Sequence, residues 1–379
     1  MKKLAIFIII SLLVPVFAFG ASKVPLTREL PSVMRSVEAL GMGNAYYGLS
    51  NSKYASFYNP AGLKYVERRT VDIIPLTLGW NDTIMDNGSK AWDIYRDNED
   101  NLDDPQVISD LIDVFMGKYA NIGPVNFFPA YTKKNFTLGI FSSSEINILA
   151  YNEVMPEMAI RVKSDNGAAL SYAMQFLEND ALSFGFTVKG LYRVNFTKSY
   201  NAVELAAIFD DNSQAHKDFK DEISNAGKGW ALLGSVGVMY ELPVLEFFKP
   251  RVGASFNDFG YKDFGSLMED IDPTLNLSFA VSPEFSTFIK TDVVIDLNDV
   301  FMSAGEDDSF TKRINIGLQV AFWDRLYLRT GPHQGYPTFG AGFDAKFVRM
   351  NYAFYSEELG SYAGQYKDSR HAIEFTIGF

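Results

Sequence analysis

The sequence predicts an all-β protein: a 14-stranded antiparallel transmembrane β-barrel with an N-terminal plug. The first observation is that apolar residues alternate with polar ones over long segments from about residue 67 to the chain end. The second is that these segments number fourteen, and single-chain bacterial barrels have an even number of strands. The third is their length of roughly 9–15 residues, which a tilted crossing of a bilayer requires. A water-soluble sandwich, the alternative, uses shorter strands with turns every 8–12 residues or so.

Composition narrows the function classes. The chain has 379 residues, 47% hydrophobic and 15% aromatic, with a formal net charge of −12. An acidic chain makes a nucleic-acid partner improbable in physical terms, and we expect none. The absence of Cys excludes disulfides, thiolate catalysis and Cys-ligated metal centres. With three scattered histidines besides, we expect no metal and no cofactor.

Residues 1–20 have the pattern of a signal peptide. Lys2 and Lys3 give a basic start, an apolar run extends from Leu4 to Phe19, and Ala18 and Gly20 are small residues at the cleavage positions. The alternative is an uncleaved anchor, but a run of about 16 residues is shorter than the roughly 20 of a spanning helix. We therefore expect an exported protein.

Residues 21–66 do not alternate like the rest and are predicted to form the plug (hatch) of the barrel. They contain Gly41 and Gly43, and then Asn59, Pro60, Ala61 and Gly62 in succession. The paired glycines lack the spacing and the preceding strand of a nucleotide-binding motif. Glycine permits close backbone approach and Asn-Pro marks a turn, so the segment suits a compact fold inside a barrel.

Residues 67–379 are predicted to form the transmembrane β-barrel with long extracellular loops. The predicted strands lie near 67–80, 122–132, 135–149, 168–177, 182–198, 229–242, 250–259, 274–283, 286–297, 312–323, 325–331, 337–344, 346–356 and 369–379. Long and short connections alternate between them, and short turns mark the periplasmic end. Residues 150–167 are assigned to a long loop, with the alternative that Ala159 to Val162 belong to another hairpin.

The alternation also predicts which charged side chains face the lumen. The candidate lumen charges are Lys189, Arg193, Arg251, Lys290, Asp292, Asp296, Arg313, Arg329, Arg349 and Glu374. They could form a path that guides carboxylates, because Arg binds carboxylates in a bidentate fork. The alternative, which we favour, is a set of salt bridges between plug and wall.

Two long loops show helical periodicity instead. Val107, Leu111 and Val114 share one helical face after Pro105, and Leu205, Ile208 and Phe209 form a similar face further on. Apolar faces over a barrel mouth could bind an apolar ligand. The alternative is that they pack against each other as a lid.

The last strand carries Ile373, Phe375, Ile377 and Phe379 at alternate positions. In an exported protein this pattern is similar to the C-terminal signal that the barrel-assembly machinery reads. A terminal strand with an apolar edge can pair with a sheet template by strand addition. We therefore expect this machinery as a partner.

Known catalytic motifs do not stand out from the sequence. There is no Gly-x-Ser-x-Gly elbow and no His-Glu-x-x-His pair, and Gly227-Lys228-Gly229 lacks the rest of a phosphate loop. We do not expect an enzyme.

The stretch from Leu40 to Leu63 resembles the N-terminal region of the long-chain fatty-acid transporter (FadL-type) superfamily of outer-membrane proteins. Asn59, Pro60 and Ala61 match that family's Asn-Pro-Ala motif in the plug. The resemblance implies a fourteen-stranded barrel with an N-terminal hatch, in which the hatch shifts and a lateral wall opening releases the ligand. The C-terminal third, with Leu328 to Gly331 and Glu357 to Gly360, is more similar to the PorV- and TraF-like branch.

This resemblance implies an outer-membrane channel for passive uptake of hydrophobic compounds such as long-chain fatty acids. The PorV/TraF-like branch implies instead a non-transporting anchor or shuttle for an exported protein partner. Both interpretations place the chain in the outer membrane of a Gram-negative-type bacterium, with outer-membrane lipid as a partner. Hydrophobic small molecules are the expected ligands under the first interpretation.

Overall fold

The structure is a computed structural model that describes residues 29–152, 155–177, 180–210, 212–224, 227–265, 270–305 and 309–379. The predicted signal peptide, residues 1–20, lies outside the described residues. So do residues 21–28, the beginning of the predicted plug.

The described chain forms a closed antiparallel barrel of fourteen strands, which confirms the predicted fold class. Sixteen hydrogen-bonded segments make up these strands, because two of the strands are interrupted and continue against the same neighbours. In chain order the strands are β1 Thr70–Asn81, β2 Tyr119–Phe127 with Ala130–Lys133, β3 Phe136–Tyr151, β4 Glu157–Phe176, β5 Leu182–Asn201, β6 Gly227–Glu241, β7 Arg251–Asp263, β8 Thr274–Val281 with Glu284–Ser286, β9 Ile289–Leu297, β10 Ile314–Phe322, β11 Leu326–His333, β12 Tyr336–Asp344, β13 Val348–Glu358 and β14 Lys367–Gly378.

Each strand pairs with the next along the chain, and the last strand closes the barrel on the first. The closing register joins Asp72 to Gly378 at one end and Asn81 to Arg370 at the other. All fourteen predicted strand positions correspond to observed strands, with ends that differ by a few residues in most cases. The period-two pattern alone was sufficient for this, since each strand has one lipid-facing side and one lumen-facing side.

The outer surface of the barrel is an apolar belt. On β5, for example, Phe184, Phe186 and Val188 are exposed while the residues between them are buried. Among the described residues no helix is long and apolar enough to span a membrane. A closed sheet satisfies all its backbone hydrogen bonds in lipid, so the barrel with its belt is an outer-membrane protein, as the sequence predicts.

One loop assignment was wrong. The region 150–167 is not a long loop, because β4 begins at Glu157 and pairs without interruption with β3 and β5. The polar run Ser164–Asp165–Asn166 suggested a loop, yet Asp165 lies buried in the lumen against Arg193. Strand β4 is therefore 20 residues long and extends beyond the apolar belt.

In the part of the chain that the structure describes, four helices follow β1 and β5: α2 Asp82–Asp97, α3 Pro105–Val114, α4 Ala202–Phe209 and α5 Gln214–Ser224. The fifth helix, α1 Val37–Gly41, precedes the barrel. The two helices do pack against each other, with Leu111 of the predicted α3 face in one apolar cluster with Leu205 and Ile208 of α4. The buried α3 residues of that cluster are Ile108 and Ile112, and the predicted Val107 and Val114 are not part of it.

That cluster does not lie where the sequence placed it. It includes Ala150, Met158 and Tyr200, which share the parity of the lipid-facing residues on β3, β4 and β5. No register shift interrupts these three strands. The helices thus cover the outward face of the strand extensions, and the predicted position over the barrel mouth was wrong.

Residues 29–66 precede the first strand and form the N-terminal segment. Most of its side chains are buried, and they contact the inward-facing residues of the strands. It contains α1 and two short 3-10 helices, Lys53–Ser56 and Pro60–Tyr65. Ser36, Ser52 and Asn59 cap these three helices with their side-chain oxygens, which satisfies backbone N–H groups that water would otherwise bind.

Candidate functional site

The N-terminal segment contacts the barrel wall in two chemically different regions. The first is a patch of glycines on three adjacent strands: Gly185 on β5, Gly237 on β6 and Gly253 on β7. We call this patch with Asn59, Pro60 and Ala61 the glycine seat. A Cβ atom on Gly185 would lie 2.2 Å from the Pro60 carbonyl carbon, and one on Gly237 would lie 2.0 Å from Asn59 Oδ1.

Asn59 holds the glycine seat together. Its Oδ1 accepts a hydrogen bond from Ala61 N at 3.0 Å, and its Nδ2 donates to the carbonyls of Val238 and Ala254, each at 3.4 Å. Gly62 is equally confined, because a Cβ there would lie 2.5 Å from Ser50. The Asn-Pro-Ala-Gly sequence therefore fits a wall surface that only glycines leave open.

The paired glycines Gly41 and Gly43 also bring the backbone of the N-terminal segment close to the wall, on the opposite side of the barrel. Gly41 lies against Gly340 of β12, with 2.8 Å between a Cβ on Gly41 and the Gly340 Cα. Gly43 has a φ of +67° and would direct a Cβ into the Pro332 carbonyl. Thr338 links the two, since its hydroxyl accepts from Gly43 N at 2.8 Å and donates to Gly41 O at 3.1 Å.

The second region is a set of charged contacts, which we call the charged seat. The N-terminal segment contributes Glu29, Arg35, Lys53 and Tyr54, and the wall contributes Asp72, Glu357, Arg370 and Glu374. Lys53 Nζ lies 3.1 Å from Asp72 and 3.5 Å from Glu374. The Tyr54 hydroxyl donates to Glu374 at 2.8 Å. Asp72 also pairs with Arg349 from β13.

Arg35 is the centre of the other half of the charged seat. It pairs with Glu357, whose side chain is fully buried, and its Nη2 lies 2.8 Å from Glu29 Oε1. Glu29 in turn accepts from Arg370 at 2.7 and 3.0 Å. Burial acts to raise the pKa of Glu29, but the positive charges of Arg370 and Arg35 outweigh it and hold that pKa below its ordinary value.

Glu38 shows the opposite balance. Its nearest cation, Arg329 of β11, is 3.7 Å away, and Arg329 also binds Gln319 at 2.6 Å and Asn351 at 2.9 Å. Burial raises the pKa of Glu38, and the shared Arg329 only partly offsets it. The lumen therefore stabilises the charged form of Glu38 only weakly.

The remaining candidate lumen charges are paired mainly within the wall. Arg193 binds Asp165 in a bidentate pair at 2.6 and 2.7 Å, and Lys189 lies 2.5 Å from Asp258. Asp292 accepts from Ser282 at 2.6 Å and from Gln319 at 3.1 Å.

Four further charges have other positions. Arg251 donates to the Gly48 carbonyl of the N-terminal segment at 2.6 Å, and Asp296 accepts from Tyr47 N at 2.7 Å. Arg313 lies in a 3-10 turn before β10 and binds Asp299 of the same loop, so its assignment to a strand was wrong. Lys290 lies with Asp324 at the end of the barrel that carries the short turns.

A cavity of about 120 Å³ lies on the side of the N-terminal segment that faces the long loops. The segment contributes an apolar surface from Leu30, Val33, Met34 and Phe57. The wall and the loops contribute a polar surface that includes Asp258, Asn298 and His333. We call this the outer cavity.

A larger cavity of about 290 Å³, the inner cavity, lies on the side of the short turns and is lined by charged residues such as Lys53, Asp72 and Arg349. The N-terminal segment separates the two cavities, since Tyr58 faces the outer one and Tyr54 the inner one. The lumen is therefore divided rather than continuous.

The wall is interrupted beside the outer cavity. Strand β2 loses its register with β1 between Thr77 and Trp80, and with β3 between Ile122 and Val125. A small cavity of about 40 Å³ next to Pro124 shares Val33 and Met34 with the outer cavity. The Phe128 side chain, between the two parts of β2, turns inward and packs on Phe57 at 5.4 Å.

The predicted assembly residues lie on the outer surface. Ile373, Ile377 and Phe379 are exposed and Phe375 is partly exposed, while Glu374 and Thr376 between them are buried. Their role in assembly stays a prediction.

Sequence reasoning predicted Glu374 of the charged seat as a lumen charge but missed the other wall residues of both seats. Gly185 and Gly237 occupy lumen-facing positions where the alternation predicts polar side chains, and this was the available signal. The acidic partners Asp72, Asp165 and Glu357 could not be assigned, because their pairs span up to 322 residues of sequence.

No protein-family model matches the chain, and no curated protein matches it. Solved structures with a similar fold include the Pseudomonas putida toluene transporter TodX, at 13% identity and a TM-score of 0.48, over 92% of this chain and 98% of that one. The Ralstonia pickettii toluene transporter TbuX is 9% identical with a TM-score of 0.46, over 91% and 97% of the chains.

A Pseudomonas aeruginosa FadL homologue is 8% identical with a TM-score of 0.30, over 93% and 98% of the chains. Its description names the superfamily that the Leu40–Leu63 stretch resembles. None of these three descriptions names the PorV- or TraF-like branch. Since the likenesses are this low, ligand and mechanism have to be argued from the residues of this chain.

Proposed function

We propose that the chain is a channel for passive uptake of small hydrophobic compounds across the outer membrane, with residues 21–66 as its plug. The observation that carries this proposal is the double role of the N-terminal segment. The same residues that divide the lumen also form the apolar side of the outer cavity. A shift of the segment would therefore open the lumen and release the ligand at the same time.

The cavity size favours small ligands. An engineered apolar cavity of about 150 Å³ holds benzene, so a cavity of about 120 Å³ is on the scale of a single ring. Long-chain fatty acids, which the family resemblance implies, would need a longer cavity than this one.

The interruption in β2 offers a lateral release route. Val33 and Met34 line both the outer cavity and the small cavity at Pro124, although Glu29, Glu145 and Arg370 also line the small cavity. The register of β2 shifts against both neighbouring strands at this point and Pro124 has no N–H to donate, so opening the wall there would break fewer hydrogen bonds. A hydrophobic compound would leave into the membrane instead of crossing the charged inner cavity.

The test is uptake of a radiolabelled monoaromatic hydrocarbon by cells that express the chain. Asn59→Ala removes the contacts that fix the glycine seat, and Pro60→Gly loosens the same turn, so both should change the uptake rate severalfold. Gly190→Ala is the control, because a Cβ at Gly190 meets no atom within 4 Å.

Uptake that is unchanged in both seat variants and in cells lacking the chain would contradict the proposal. If the purified barrel then carried a protein partner in stoichiometric amount, the anchor interpretation would replace it.

A further inference from the structure

The polar side of the outer cavity has a specific hydrogen-bond imbalance. Its donors are engaged within the described chain: Arg193 binds Asp165, Lys312 donates to the Gly360 carbonyl at 3.0 Å, and Arg35 is shared by Glu29 and Glu357. His333 lies between Asn315 and Glu357, at 2.8 and 3.3 Å. These cations are already neutralised or engaged, so they offer little to an anionic ligand.

One acceptor, in contrast, has no hydrogen-bond donor among the described residues. It is Asn298 Oδ1, and the atom is buried. Asp258 is not open in this way, because Lys189 Nζ lies 2.5 Å from its Oδ1. Asn276, also in the lining, differs because its Oδ1 accepts from Asp299 N at 2.9 Å.

The acidic groups of the lining are neutralised in the same way as its cations. Asp258 pairs with Lys189 and Asp299 with Arg313, and burial raises the pKa of Asp272 despite the nearby Lys262. A ligand carboxylate would therefore find no open cation among the described lining residues, whereas a hydroxyl could donate to the open acceptor. A buried acceptor without a donor costs free energy, and a ligand that supplies the donor recovers it.

From this we infer that the outer cavity selects a neutral single-ring compound with one hydroxyl group, of the phenol class, over both the plain hydrocarbon and the carboxylate. The ring would lie against Val33, Met34 and Phe57, and the hydroxyl would donate to Asn298 Oδ1. This inference rests on the proposed function, since it names the substrate class of the same cavity.

The experiment compares three probes that differ in one substituent: toluene, p-cresol and p-toluate. Binding to the full-length protein in lipid nanodiscs is measured by calorimetry, with empty nanodiscs as the reference for partition into lipid. We expect p-cresol to bind about fivefold more tightly than toluene, as one added neutral hydrogen bond implies, and p-toluate to bind weakest.

Asn298→Leu removes the open acceptor at similar size and should weaken p-cresol about fivefold without changing toluene. Asn298→Asp keeps an acceptor oxygen at the same place and should retain the preference for p-cresol. Heat-modifiable migration on a gel shows whether each variant is folded, and a misfolded Asn298→Leu leaves the wild-type probe series and Asn298→Asp as the test.

Equal binding of toluene and p-cresol, loss of the preference in Asn298→Asp, or an Asn298→Leu effect on both probes alike would overturn the inference and leave the uptake proposal standing. If none of the three probes binds above the empty-disc reference, the ligand role of this cavity fails as well.

Discussion

The glycine seat and the charged seat hold the same N-terminal segment by different physics. In the glycine seat, Asn59 and Pro60 touch backbone, and the fit depends on the absence of Cβ atoms at Gly185 and Gly237. In the charged seat, Arg35 and Lys53 pair with carboxylates of the opposite wall. These contacts are made by side chains, and one cavity lies on each side of the segment.

The difference shows how a plug can be both firmly placed and movable. A backbone contact has no alternative partner, so it fixes position. An ion pair can exchange its partner for water or for another charge when the segment shifts, at a free-energy cost that depends on burial. We therefore expect the charged seat to open before the glycine seat.

The largest expected effect is that of Arg35→Met. It leaves Glu357, a fully buried carboxylate, with only His333 as its partner on one side, and it removes a neighbour of Glu29. Breaking a buried pair by removing one partner costs about 3–5 kcal/mol. Hydrogen exchange of residues 29–66 should show a lower protection free energy by about that amount.

Arg96→Met is the control for charge removal. Arg96 pairs with Asp93 and Asp97 on the exposed surface of α2, where an ion pair contributes about 0–1 kcal/mol. Equal effects of the two substitutions would show that the charged seat does not hold the segment.

The next effect tests the other seat. Gly185→Ala introduces a Cβ at 2.2 Å from the Pro60 backbone, which neither residue can avoid by rotating a side chain. Overpacking of this kind costs about 1–3 kcal/mol. Limited proteolysis should cut the N-terminal segment faster in this variant.

Gly190→Ala, the same substitution five residues along the same strand, meets open space and should behave like the wild type. A protease-resistant segment in Gly185→Ala would mean that the glycine seat can accommodate a Cβ atom at this position. The contrast between the two seats would then disappear.

The sequence was sufficient to predict the strands of the barrel but not the contacts inside it. Phe184, Phe186 and Val188 alternate because lipid and lumen impose opposite requirements on neighbouring residues, and this local rule located every strand. The 20-residue length of β4 escaped it, since Met158 and Ile160 face the apolar cluster of α3 and α4 instead of lipid.

The seats depend on which strands face each other across the lumen, and no local pattern contains that information. The Asn59–Pro60–Ala61 motif was noticed by resemblance, but its receiving glycines come from three separate strands. Arg35 and Glu357 lie 322 residues apart and meet only after the barrel closes. Likewise, the two helices were predicted from their periodicity, yet which face is buried and where it lies depend on the strand extensions beneath them.

The smallest expected effect comes from Glu38, which tests whether every charge in the segment helps to hold it. Its pKa is raised above the ordinary value of 4.5, so its contribution to stability is present below that value and is lost as pH rises through the raised pKa. Glu29 behaves oppositely: its pKa is lowered, so its contribution is present above 4.5 and is lost as pH falls through the lowered value. Glu38→Gln should therefore leave the segment equally stable or more stable at pH 7, by less than about 1 kcal/mol, with the difference vanishing near pH 4. Hydrogen exchange of residues 29–66 at the two pH values measures this. A clear loss of protection at pH 7 would mean that the 3.7 Å contact with Arg329 belongs to the charged seat after all.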